Sequence, residues 1–236
     1  MHFGPRLEAV ADLVPPCRTL ADVGTDHAYL PVLLLQEGKI EQAIAGDVVP
    51  GPCEAARHTV RQFHLEERIT VRQGSGLTVV APGEVETAVM AGMGAETMLQ
   101  ILGESPEVWQ HPAFRHLVLQ PMSDSCRLRL WAEDHGWAVV REELVREGKR
   151  LYELLLLEPS PGWKYPGSCR EVGDDLVRRH HPLLAEFVAE KKKKIQRLLT
   201  QMDRSERARA SRQYKEYETL WKQLEEIDCG NGRNGK

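Results

Sequence analysis

An α/β architecture follows from three observations. Short apolar runs alternate with helix-like stretches over residues 1–159, turns rich in Gly and Asp follow those runs, and a lysine-bearing helical pattern fills the remainder. Repeated β-α units with buried strands imply a mainly parallel sheet covered on both faces. Seven strand candidates are present, and a terminal hairpin makes the last strand antiparallel.

The elements follow in order. Thr19–Val23 (TLADV) predicts a strand, and the apolar stretch from Tyr29 to Gln36 a helix. Ala43–Asp47 predicts the second strand. Gly51-Pro52 then opens a helix, with proline near the first helical position where its missing N–H costs nothing. Within that helix Cys53, Ala56, Val60 and Phe63 recur at spacings of three and four, which makes one buried face. Further strands are expected at Ile69–Arg72, Thr87–Ala91 and Leu117–Gln120, and helices at Met93–Leu102 and Ser125–His135. Trp137–Leu144 and Leu151–Leu157 read as two strands joined around Glu147-Gly148-Lys149, where glycine suits a hairpin turn.

The segment SPGWKYPGS, residues 160–168, holds two prolines and two glycines and reads as a linker. It separates a first domain, 1–159, from a helical second domain, 169–229. In the second, Leu184, Val188, Ile195, Leu198 and Met202 form one stripe once Lys191 is accepted at the skipped position. Ala210, Tyr214, Tyr217, Trp221 and Leu224 form another, after Asp203-Arg-Ser-Glu206, a variant of the capping box. Two stripes joined by a tight turn predict an antiparallel helical hairpin with coiled-coil packing. Pro182 places His180-His181 at a bend. The GNGRNGK tail is expected to be disordered.

Composition sets the class. No apolar run approaches the roughly 20 residues that span a bilayer, and the first residues lack the apolar core and cleavage site of a signal peptide. The five cysteines (Cys17, Cys53, Cys126, Cys169, Cys229) form no CxxC pair. That argues against a disulfide framework or zinc site and for a reducing cytoplasm. His180-His181 lacks nearby ligands at metal spacing, so no metal is expected. The overall charge of −4 conceals an asymmetry: residues 1–159 carry 14 Lys+Arg against 23 Asp+Glu, and residues 160–236 carry 17 against 12. A basic segment on an acidic body suggests an anionic partner; a solvated helix face is the simpler reading of the charge alone.

Ligands of open α/β sheets bind beyond the carboxyl ends of the strands, where the strand order reverses. Four loops of ligand type follow strands here. The first is Asp22-Val-Gly24-Thr-Asp26, and the second ends at Asp47, placed to accept hydrogen bonds from ribose hydroxyls. The third is Gly74-Ser75-Gly76 and the fourth Ala91-Gly92-Met93. A dinucleotide site wants G-x-G-x-x-G to seat a pyrophosphate. One glycine and two carboxylates make a poor phosphate cradle and a better seat for an amino group, a sulfonium and a ribose, which describes S-adenosylmethionine.

The half from about Leu7 to Glu158 resembles the bacterial tRNA adenine-22 N1-methyltransferases. The resemblance rests on ADVGTDHAYLP (21–31), IAGDVVPGP (44–52), VRQGSGL (71–77), MAGMGAE (90–96) and LVLQP (117–121), in the same order. The basic hairpin is similar to the coiled-coil C-terminal domain of that family. The resemblance implies a Rossmann-like class I methyltransferase fold, S-adenosylmethionine as donor and N1 of a tRNA adenine as acceptor. Two departures stand out. The family's third loop usually reads GDGL, its acid assigned to the cofactor's adenine amino group, where this chain has Ser75; the fourth usually reads GMGG, where it has Ala95.

The residues bear on the chemistry independently. Methylation of an exocyclic amine commonly uses an Asn/Asp-Pro-Pro-aromatic motif after the fourth strand, and this chain has Ala91-Gly-Met-Gly there. A ring nitrogen offers an in-plane lone pair and needs no prior deprotonation. Asp26, between cofactor loop and helix, is the candidate to stabilise the charge that develops on the ring. His27 reads either as a catalytic partner or as a hydrogen-bonding turn residue. Tyr29 either stacks on a flipped adenine or packs the first helix. Gln120-Pro121 lines the acceptor pocket or simply ends strand five. Lys191, Lys192, Lys193, Lys194 and Arg197 wrap a helix, so some lie near the hairpin seam and others are free for phosphates. Two alternatives stay open: a methyltransferase of a small molecule or protein whose hairpin dimerises, in place of a monomer, and a binding module without turnover.

Overall fold

The computed structural model describes residues 3–227 and 229; the GNGRNGK tail lies outside them. The chain forms two compact units that divide between Tyr165 and Pro166.

The first unit contains α1 (Pro5–Leu13), β1 (Thr19–Val23), α2 (Tyr29–Gln36), β2 (Gln42–Asp47), α3 (Pro50–Gln62) and β3 (Ile69–Gln73). A 3-10 turn (Gly76–Val79) leads to β4 (Thr87–Met93), α4 (Ala95–Glu104), α5 (Pro106–Trp109) and β5 (His116–Pro121), then α6 (Ser125–Asp134), β6 (Trp137–Glu147) and β7 (Arg150–Pro159). The seven strands lie in the order β3-β2-β1-β4-β5-β7-β6. Contacts from β3 through β5 are parallel, and β7 runs antiparallel to both β5 and β6. The order reverses between β1 and β4, which places the crevice beyond their carboxyl ends.

Alternate strand residues feed two cores. Ala21, Ala88, Met90, Leu117 and Leu119 pack on one face with residues of α4, α5 and α6. Leu20, Val89 and Val118 pack on the other with α1, α2 and α3. Cys53, Ala56 and Val60 are buried as their spacing predicts, and Phe63 packs partly buried against the same cluster.

Several details differ from the sequence expectation. Helix α1 was not expected; Pro5 at its first position starts it. Helix α4 starts at Ala95 rather than Met93, because β4 continues past an irregularity between Ala91 and Met93, where Met93 still pairs with Pro121. Beside the hairpin, one internal salt cluster centres on Arg129, whose side chain is wholly out of solvent. Arg129 donates to Glu142 (2.7 Å), Glu153 (2.8 Å) and Ser125 (2.9 Å), which ties α6 to β6 and β7.

The second unit contains α7 (Asp174–Arg178), α8 (Leu184–Met202), α9 (Glu206–Arg209) and α10 (Arg212–Glu225), with α8 packed on α10. Leu184, Phe187, Val188, Ile195 and Leu224 are its buried seam. His180 stands at a bend with φ 48°, and His181 accepts a hydrogen bond from the Leu183 amide. The connection between the arms is longer than a tight turn. Ser205 caps the short α9 through the Ala208 amide and Ser211 caps α10 through the Tyr214 amide, so Ala210 precedes the second arm instead of opening its stripe. Each serine offers a free N–H an acceptor where a helix begins, and two such starts break the chain twice.

Candidate active site

A cleft of ≈350 Å³ opens at the switch point. Its wall includes Asp22, Gly24, Asp26, His27, Tyr29, Ala91, Gly92 and Gln120, together with Phe3, Arg6 and Glu147. The first loop builds most of it. The amides of Gly24 and Thr25 both donate to the Gly46 carbonyl, at 2.8 and 3.0 Å, so the loop is tied to the end of β2. Gly24 has φ +79°, and a Cβ there would sit 2.8 Å from Met93 Cε. Only glycine leaves that space open without strain. The Ala28 amide donates to Thr25 Oγ1 at 3.0 Å, and Ala28 itself takes the left-handed conformation, φ 55°. This short closed turn leaves Asp26 exposed and His27 beside it, with 3.4 Å between His27 Nε2 and Asp26 Oδ2.

Electrostatics single out Asp22. Burial pushes its carboxyl up to about 6; the Thr25 hydrogen bond offsets part of this and nearby Asp47 adds to it. Among the described residues no cation pairs with it. Asp47 is half-buried at the end of β2, its Oδ1 held by the Val49 amide at 2.7 Å and its carbonyl accepting from Gly74 at 2.9 Å. A buried carboxylate without a counter-ion, a glycine cradle and a second oriented carboxylate suit a ligand bearing a cation and a ribose. These residues fit S-adenosylmethionine.

The aromatic side chains gather on one wall. The Tyr29 ring centroid lies 5.1 Å from His27 and 5.4 Å from Phe3, and Tyr29 is 38% exposed. Its ring faces solvent and does not join the core.

Gln120 is fully buried, and its Oε1 accepts from the Gly92 amide (3.0 Å) and from Arg6 Nη1 (3.2 Å). Pro121 is buried beside it and accepts from Gln120 Nε2. The lining contains neither Pro121 nor Asp47, Gly74, Ser75, Gly76 or Met93, which lie at the same end of adjacent strands. Gly74 and Gly76 have packing reasons of their own: a Cβ would strike Val79 at 2.8 Å and Ile101 at 2.7 Å. Ser75 is exposed at the start of the 3-10 turn.

The lysine run divides. Lys191, grouped with the phosphate candidates and also accepted at the skipped seam position, pairs through Nζ with Glu171 Oε2 at 3.1 Å and lies 4.8 Å from the Phe187 ring centre. Its charge is already answered within the second unit. Lys192 is half-buried, whereas Lys193, Lys194 and Arg197 are exposed and share one surface with Glu190, Leu198 and Gln201. Among the described residues no cluster of His, Cys, Asp and Glu could hold a metal, and no helix is long and apolar enough to cross a membrane.

Phe3, Arg6 and Glu147 escaped the sequence reading. The first two belong to a segment without a motif, and Glu147 was read as a turn residue. A proline-opened helix was the one signal available for the segment holding Arg6.

Known proteins resemble this chain along most of its length. Residues 3–155 match the family model described as a methyltransferase domain. A tRNA (adenine(22)-N(1))-methyltransferase of Bacillus subtilis is 35% identical over 158 residues, which is 67% of this chain and 66% of that protein. The crystal structure of the B. subtilis M1A22 tRNA methyltransferase TrmK superposes with a TM-score of 0.87 at 28% identity, covering 96% of this chain and 98% of that one. Streptococcus pneumoniae Sp1610, a putative tRNA (m1A22) methyltransferase solved in complex with S-adenosyl-L-methionine, is 32% identical with a TM-score of 0.81, covering 94% and 97%. The chain belongs to the methyltransferase-domain family and, within it, to the tRNA (adenine-22-N1)-methyltransferases.

Proposed function

We infer that this protein transfers a methyl group from S-adenosylmethionine to N1 of adenine 22 in tRNA, working in the cytoplasm. The observation that carries this reading is the buried, unpaired Asp22 carboxylate opening into the same cleft as an exposed aromatic wall. One serves a cationic donor and the other a flat base taken out of its stack.

Asp22, the Gly24 backbone and Asp47 would hold the donor, with the fourth loop, Ala91-Gly92-Met93, alongside. When bound, S-adenosylmethionine supplies a methyl group made electrophilic by its sulfonium. Adenine N1 attacks with its in-plane lone pair, so the site has no proton to remove first. Tyr29, flanked by His27 and Phe3, offers the stacking face. As positive charge spreads over the ring, the Asp26 carboxylate stabilises it, and His27 at 3.4 Å orients that carboxylate. The remaining acceleration is alignment of donor and acceptor.

Asp26→Ala is expected to lower kcat by about 10²-fold while calorimetry finds cofactor affinity within a factor of three of the unsubstituted protein, roughly the scale of a neutral surface change. Equal losses in affinity and rate would assign Asp26 to cofactor binding instead.

The second unit supplies phosphate contacts through Lys193, Lys194 and Arg197, which would position a folded RNA without reading its sequence. Changing all three to glutamate should raise KM for tRNA at least about tenfold and flatten its salt dependence by up to about three contacts' worth of slope. Lys191→Gln, by contrast, should disturb the stability of the second unit more than tRNA affinity. The reading as a whole is tested by incubating the protein with S-adenosylmethionine and tRNA transcripts and mapping the modified nucleoside.

A further inference from the structure

The acceptor wall of the cleft carries a charged pair that the family motifs do not contain. Arg6 projects from α1 and Glu147 ends β6, with Arg6 Nε 3.4 Å from Glu147 Oε2. Neither lies in a strand-end loop of the parallel sheet, yet both line the cleft with Asp22, Asp26 and Tyr29. The guanidinium is held from several directions. Its Nη1 donates to Gln120 Oε1, and its carbon lies 5.2 Å from the centre of the Tyr152 ring.

Gln120 fixes this arrangement. The Gly92 amide can only donate, so the side-chain atom facing it must be the amide oxygen. That same oxygen receives Arg6, while Nε2 is used by the Pro121 carbonyl. A wholly buried amide with both ends engaged cannot turn away. Arg6 is therefore a pre-oriented planar donor, and through Nε it orients Glu147. Each side chain is about a third exposed, 35% and 37%. Among the described residues no hydrogen bond occupies Arg6 Nη2 or Glu147 Oε1.

We propose that Arg6 and Glu147 read the N6/N7 edge of the target adenine, with Glu147 accepting from the N6 amino group and Arg6 donating to N7. The proposal rests on the methyltransferase reading above. An adenine stacked on the Tyr29 wall with N1 toward the donor presents N6–H, a donor, and N7, an acceptor, along the adjacent edge. One carboxylate beside one guanidinium matches that pattern. Guanine presents O6 and N7, both acceptors, and would set O6 against the carboxylate. The pair therefore selects adenine over guanine at a base whose surroundings are otherwise recognised by shape. Gln120 is a positioning residue in this scheme: it reaches the base only through Arg6.

The test uses the full chain, saturating S-adenosylmethionine and tRNA assembled with adenosine, 7-deazaadenosine or purine riboside at position 22. The first analogue lacks N7 and the second lacks the amino group. Purine riboside is also a weaker N1 nucleophile, so the comparison is between proteins and not between bases. The unsubstituted protein should lose about tenfold to a hundredfold in kcat/KM on each analogue. In Glu147→Ala the purine penalty should shrink at least fivefold while the 7-deaza penalty persists; in Arg6→Ala the 7-deaza penalty should shrink. Glu147→Gln, which keeps an acceptor oxygen, should fall between, and it serves if the alanine variant does not bind cofactor normally by calorimetry. Substitutions that slow all three RNAs by one common factor, or slow none, would overturn the proposal. Failure of the unsubstituted protein to methylate the adenosine transcript would instead overturn the tRNA reading, and this inference with it.

Discussion

Asp22→Asn is expected to melt several degrees higher than the unsubstituted protein at pH 7, yet bind S-adenosylmethionine at least about thirtyfold more weakly. The two effects have one origin. Asp22 is buried without a cation, and burial raises its carboxyl from 3.8 to about 6. A carboxyl raised in the folded state destabilises the fold once it must ionise. The penalty is absent below about pH 4, grows as pH rises through the interval from 3.8 to about 6, and is complete above it. At neutral pH its size is on the order of 2–3 kcal/mol, so an uncharged isostere relieves it, raising the midpoint by a few degrees per kcal/mol. The cofactor's cation reverses the balance, because it favours the ionised form. Removing one member of a buried, hydrogen-bonded charge pair costs about 2–5 kcal/mol in binding. The unsubstituted protein should accordingly bind cofactor more tightly as pH rises through about 6 and level off above it; Asp22→Asn should lose that dependence. Thermal melts of the apo form and calorimetry across pH 5–8 measure both. A variant that melts lower and binds normally would mean that Asp22 is structural.

The second large effect concerns the fold alone. Arg129→Met should lower the unfolding free energy by about 3–5 kcal/mol, because it removes the buried cation that answers the Glu142 and Glu153 carboxylates. The Arg129 side chain is 0% exposed and that of Glu142 is 2% exposed. Burial would by itself lower the Arg129 pKa, yet Glu142 and Glu153 outweigh it and raise the guanidinium above its ordinary value. Once Arg129 is gone, the carboxyls are expected to titrate upward, so the loss should be smaller at pH 5 than at pH 7. Replacing Arg129, Glu142 and Glu153 together by apolar residues of similar volume should restore most of the stability. Denaturant midpoints of the single and triple variants decide it, and a single variant within about 0.5 kcal/mol of the unsubstituted protein, the scale of a surface change, would contradict the account.

Much of the architecture was legible because each β-α junction advertises itself. Thr19–Val23 and Tyr29–Gln36 match β1 and α2 in extent, since an apolar run ends at Gly24 and another begins after His27. The hairpin between β6 and β7 was marked by Gly148, whose φ is +59°. What stayed hidden depends on distant partners. Nothing local distinguishes Glu142 from its neighbours in Arg141-Glu142-Glu143; only packing of α6 on the sheet buries it with Arg129. The same holds for Arg6 and Glu147, brought together by α1 lying against β6. Ala28 was hidden as well: nothing local announces that this alanine takes the left-handed region, held by Thr25. The third loop carries two signals at once. Its glycines read as a ligand cradle, and the close approach of Val79 and Ile101 gives them a packing role that the sequence does not show.

The most direct measurement is transfer of a labelled methyl group from S-adenosylmethionine to two tRNA transcripts that differ only at position 22. The adenine-22 transcript should gain one methyl group per molecule, mapped to N1 of that base, and the guanine-22 transcript none. Equal labelling of both RNAs, or a methyl group mapped elsewhere, would contradict the assignment.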